Sequence, residues 1–159
     1  MQIRWTVLCV LALSLVACQR RPPPENGPAS RPANVAPPEA MQQDGLVTAG
    51  GIGDKRTFLF TLRFKAPKVG ELFAVDTDVG DAATGKPVPG VTFSLDATMP
   101  AHGHGMITDP EHKEAAPGKW HTQGMKLHMP GRWLLEVKAK IGDKQDVLRI
   151  PYEQAPGSN

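Results

Sequence analysis

From residue 57 onward, hydrophobic and polar positions alternate with a period of two. The run Thr57-Phe58-Leu59-Phe60-Thr61-Leu62-Arg63-Phe64 places Phe58, Phe60, Leu62 and Phe64 on one face. Val91, Phe93, Leu95 and Ala97 do the same in the next regular run. Side chains of a strand point alternately to its two faces, so this is the pattern of half-buried β-structure. Leu72 falls out of step with Phe73 and Val75, which predicts a less regular strand. Alternation returns at 125–129, 132–139 and 146–150, and Pro151 stops the last run. Ala66-Pro67, Gly85-Lys86-Pro87, Pro89-Gly90, Pro130-Gly131 and Gly142-Asp143 supply turn signals between the runs. No stretch sustains a helical period. The expected fold is all-β, an immunoglobulin-like antiparallel β-sandwich of roughly six or seven strands.

The first part of the chain reads differently. One basic residue, Arg4, precedes an apolar stretch from about Trp5 to Val16. That is shorter than the roughly 20 apolar residues of a membrane-spanning helix and fits the apolar region of a secretory signal. It ends Leu15-Val16-Ala17-Cys18, which resembles the lipobox of bacterial lipoproteins. The resemblance implies that residues 1–17 are a lipoprotein signal peptide and that Cys18 carries a diacylglyceryl anchor in the bilayer. Gln19 stands where an Asp would resemble an inner-membrane retention signal, so the expected location is the outer membrane, facing the periplasm. Residues 18–44 hold the lipidated Cys and a Pro-rich linker with few large apolar side chains. Such a segment cannot bury enough surface to offset its ordering entropy and is expected to be disordered. Residues 45–153 form the sandwich, and 154–159 a disordered tail.

Of the two cysteines, Cys9 lies in the signal peptide and Cys18 is spent on lipid. No thiol remains for a disulfide or for cysteine catalysis. A formal charge of +2 gives no reason to expect nucleic acid. Gly80 to Lys86 nearly spells a phosphate-binding loop, but Pro87 stands where a hydroxyl is needed, so it reads as a hairpin connection. Asp76, Asp78 and Asp81 lack the Gly and Glu of a calcium loop and read as surface charge. No catalytic constellation is identifiable, and the chain is not expected to be an enzyme.

The chemistry-bearing residues are concentrated. All five histidines and four of the six methionines lie between Met99 and Met129. Their densest part is Met99-Pro-Ala-His102-Gly-His104-Gly-Met106. Imidazoles two residues apart can face one way on extended backbone, and the glycines let that backbone bend. Imidazole with thioether, without thiolate or carboxylate, is a soft and neutral donor set suited to Cu(I). The candidate metal ligands are His102, His104, Met106, Met99, His128, Met125 and Met129. A second reading stays open for some of them. Alternation sends Met99 inward as core, and Met125 and Met129 share an apolar face with Leu127, leaving Lys126 and His128 on the other. His112 and His121, among polar residues, read as solvent-facing histidines.

The block Met99 to Met106, with Gly85-Lys86-Pro87 upstream and Gly124-Met-Lys-Leu-His-Met-Pro-Gly-Arg-Trp133 downstream, resembles the YtkA-like family, which is related to FixH-type domains. The resemblance runs from about Gly70 to Tyr152. It implies a small immunoglobulin-like fold on the extracytoplasmic side, with relatives associated with assembling copper-containing respiratory oxidases. The expected function is a membrane-tethered periplasmic lipoprotein that binds copper, as Cu(I), for buffering or for delivery to a cuproenzyme. The competing expectation is a metal-free interaction or structural module that docks on another envelope protein.

Overall fold

The computed structural model describes residues 40–157. The expected signal peptide, Cys18 and the expected linker up to residue 39 lie outside the described residues, as do residues 158–159 of the expected tail. The described residues form strands β1 (Met41–Gln43), β2 (Leu46–Ile52), β3 (Phe58–Lys65), β4 (Leu72–Asp81), β5 (Thr92–Met99), β6 (His104–Gly105), β7 (Glu111–Ala116), β8 (Lys119–Lys126), β9 (Gly131–Ile141) and β10 (Lys144–Gln154). They make two antiparallel sheets, one ordered β1-β2-β3-β4-β8-β7 and one ordered β10-β9-β5-β6. No helix among the described residues is long and apolar enough to cross a membrane.

The alternation read from the sequence is the alternation of burial. Phe58, Phe60, Leu62 and Phe64 of β3 are buried, as are Phe93, Leu95, Ala97 and Met99 of β5. Trp133, Leu135, Val137 and Ala139 of β9 and Leu148, Ile150 and Tyr152 of β10 complete the opposite layer. Each large apolar side chain buried this way contributes about 1.5–3 kcal/mol, so the core is the main source of stability in a domain without disulfides. The irregularity expected near Leu72 is a bulge in the β4–β8 pairing between Phe73 and Val75. It leaves Leu72 exposed while Val75, Thr77 and Val79 point inward.

Strand count exceeds the expected six or seven because several strands carry no clean apolar period. β2 reads Leu-Val-Thr-Ala-Gly-Gly-Ile, and Gly50 lies so close to the Phe60 carbonyl that a side chain there would clash. β7 carries no apolar residue larger than alanine and forms the sheet edge. β1 falls inside the segment assigned to the linker, pairing Met41 with Thr48. At the other end β10 runs into the expected tail, where the buried Gln154 donates from Nε2 to the Pro67 carbonyl at 3.0 Å.

One end of the sandwich is tied shut by a buried carboxylate. Asp146 of β10 accepts from the backbone N–H groups of Lys55 and Thr57, both at 2.8 Å, and of Phe58 at 3.2 Å. It also accepts from its neighbour Val147 at 2.9 Å. The β2–β3 turn thereby docks on the opposite sheet. Gly53 lies so close beneath the carboxylate that a Cβ would collide with it. The 81–87 turn is closed by Asp81, whose Oδ1 accepts from the Ala83 and Thr84 backbone N–H groups. It is a structural connection, as its proline suggested.

Candidate metal centre

The opposite end is built by the last residues of β5, the short β6 and the β8–β9 connection. After Met99 the chain turns sharply: the N–H groups of His102 and Gly103 both donate to the Met99 carbonyl at 3.0 Å. Gly103 supplies the left-handed conformation, with φ of 70°. The chain then returns as β6, with Met99 opposite His104 and Thr98 opposite Gly105. Directly opposed residues in an antiparallel pair share a face. His104 therefore lies on the inward side with buried Met99, half-buried at the sheet's edge.

His104 Nδ1 lies 3.2 Å from the Gly105 carbonyl. A carbonyl only accepts, so Nδ1 carries the proton and the Nε2 lone pair is left for a ligand. The ring centroid of His104 is 5.1 Å from that of His128 and 5.8 Å from that of His102. Both His104 and His128 stand edge-on to the fully buried Trp133, at 6.1 and 5.4 Å. The indole is fixed by its own N–H, which donates to the Met129 carbonyl at 3.0 Å. The Nδ1 of His128 is buried with no hydrogen-bond partner.

His128 thus corrects the strand expected over 125–129. β8 ends at Lys126, and residues 127–130 carry no strand, which frees His128 from the strict alternation and leaves its ring against Trp133. The methionines divide. Met125 has no exposed surface and Met99 only 3 %, so both belong to the hydrophobic core. Met129 packs partly buried against that core. Met106, two residues beyond His104 and partly buried, accepts the Lys126 N–H on its sulfur at 3.5 Å. A thioether retains donor capacity after so weak a contact.

The remaining histidines stand elsewhere. His121 is half-exposed and pairs with Asp76 at 2.7 Å. His112 is not the solvent-facing residue expected from its polar neighbours. Its Nδ1 lies 3.0 Å from the buried Thr122 hydroxyl, and its ring stands edge-on to Phe93 at 5.5 Å. Burial pushes its pKa below the ordinary 6.5, with Asp96 pulling the other way. The polar strand β7 hid this, because its inward positions are His112 and Glu114 rather than aliphatic residues.

Among the described residues, no three His, Cys, Asp or Glu side chains are grouped to hold a metal ion. The three- or four-ligand set that zinc takes is therefore not assembled. What is assembled is a pair of imidazoles, His104 and His128, with the methionine Met106 two residues along the chain from the first; imidazole and thioether are donors suited to a soft monovalent ion. Trp133 is absent from the sequence-level candidates. Its signal was its place five residues beyond His128, across the Pro130-Gly131 turn.

The family model of YtkA-like domains matches residues 56–138, just over half of the chain. This chain belongs to the YtkA-like family. The matched span takes in all five histidines and Trp133, so the whole candidate centre lies within the YtkA-like part. No curated protein and no solved structure matches the chain.

Proposed function

We propose that this YtkA-like protein is a lipoprotein of the cell envelope, tethered through Cys18, whose domain binds Cu(I) for buffering or delivery. The observation that carries the reading is the His104–His128 pair: rings 5.1 Å apart, with a buried ring nitrogen of His128 lacking any partner. An orphaned buried nitrogen costs about 1–3 kcal/mol, and a ligand that takes up its lone pair recovers it. His104 and His128 are the proposed imidazole donors, and Met106 the proposed thioether. Met99, paired with His104 across β5 and β6, and Met125 are core residues and are left out of the ligand set. Copper is cargo here, and no catalysis is proposed. The partners on this reading are the bilayer and a cuproenzyme that receives the ion, with the tether holding the domain on the periplasmic side of the outer membrane.

The test is an anaerobic competition titration of the full-length protein, in detergent, against a chromogenic Cu(I) chelator. Stoichiometric binding tighter than about micromolar supports the reading. Loss of that binding in the His104→Ala, His128→Ala double variant assigns the site. No binding by the wild type would leave the other class of function, a metal-free docking module.

A further inference from the structure

Resting on that reading, we infer that His102 is the capture ligand of the centre: it takes the ion from a donor and passes it to His104 and His128. Three observations set His102 apart from the pair. It is exposed, whereas His104 and His128 are half-buried. Its ring lies 5.8 Å from His104, on the outer side of a cluster in which His104 and His128 lean on Trp133. Its turn is uncrowded, for a Cβ built at Gly103 meets nothing within 4 Å.

An ion that arrives bound to a donor cannot be stripped in one step. Its ligands exchange one at a time, and each exchange needs an incoming lone pair that reaches the ion while the donor still holds it. The half-buried pair is screened from a bulky donor, and the exposed imidazole is not. The bond from His102 nitrogen to Cu(I) forms as one donor bond breaks. It then breaks in turn as His104 and His128 engage. The ion stays Cu(I) throughout, no electron moves, and each imidazole gives only a nitrogen lone pair. A ligand used only on the way in and out lowers the barrier in both directions and leaves the equilibrium where it was.

The probe is the bis-bicinchoninate complex of Cu(I), mixed anaerobically with full-length protein in a stopped-flow instrument. For His102→Ala, transfer to the protein and return to the chelator both slow about tenfold, while the dissociation constant stays within about twofold. His102→Met, which restores a soft exposed donor, recovers most of the rate. A dissociation constant raised more than about tenfold would make His102 a resident ligand and overturn the inference. Unchanged rates would overturn it too, as would a failure of the methionine variant to recover them. If wild-type protein takes no Cu(I) at all, the metal reading itself falls, and the role of His102 falls with it.

Discussion

The two ends of the four-stranded sheet gather polar groups in opposite ways. At one, Asp146 opposes Ala139 of β9; at the other, His104 and His128 stand against Trp133 of the same strand. Six residues of extended chain separate them, about 20 Å. Asp146 is buried and surrounded by four backbone donors, so its bonding is closed within the fold. The histidine end leaves His128 Nδ1 without a partner and the Nε2 of His104 free of its own tautomer-fixing bond. Buried polarity that is fully bonded stabilises; buried polarity left open costs stability and is retained where a ligand completes it.

Substitutions at the two ends should therefore differ in sign as well as size. The largest effect belongs to Asp146→Ala, which leaves the Lys55, Thr57, Phe58 and Val147 N–H groups without their acceptor. It should cost about 4 kcal/mol in urea unfolding, and a loss below about 1 kcal/mol would end the idea of a clamp. Copper affinity of whatever fraction folds should be unaffected. Next is His104→Ala alone, expected to weaken Cu(I) binding about a hundredfold in the chelator competition with under about 1 kcal/mol of lost stability. His128→Leu should also abolish tight binding, yet raise the unfolding free energy by about 1 kcal/mol, because it removes the orphaned nitrogen. A clear destabilisation there would mean the imidazole is structurally satisfied after all.

Two weaker effects sharpen the contrast from outside both ends. Burial holds the His112 pKa below 6.5, so the folded chain binds fewer protons than the unfolded chain just under that pH. Its contribution to stability is complete above the unfolded value and is lost as pH falls through the folded one. Urea midpoints measured at about pH 7.5 and about pH 5.5 should diverge less in His112→Gln than in wild type. Smallest is His121→Ala. Its pair with Asp76 is largely exposed, and the change should stay within about 0.5 kcal/mol.

Period-two patterning made the all-β sandwich legible because β3, β5, β9 and β10 each bury alternate apolar residues on both sides of one core. β2 and β7 escaped it for separate reasons. Gly50 and Gly51 interrupt the first, while the second turns His112 and Glu114 inward at an open edge. The candidate centre was legible as composition, since histidine and methionine crowd into one segment. Its division into members was not. Met99 and Met125 are written with the same letter as Met106, and only the layer they occupy separates core from candidate donor. The place of His128 against Trp133 follows from β8 ending at Lys126, a strand end that the apolar alternation through Met129 does not announce.

β6 holds His104 by two register pairs, whereas the strand carrying Trp133 pairs with β10 along its whole length and with β5 from Leu134 to Lys140. Opening free energies in a native protein follow such differences, from near zero at short frayed edges to the global value in the central ladder. The corner that presents His104 is thus a small cooperative unit of its own, able to unlatch while the sandwich stays folded. A ligand bridging His104 to His128 would couple that unit to the core, and the slowing of amide exchange at Gly105 and Met106 would measure the coupling directly.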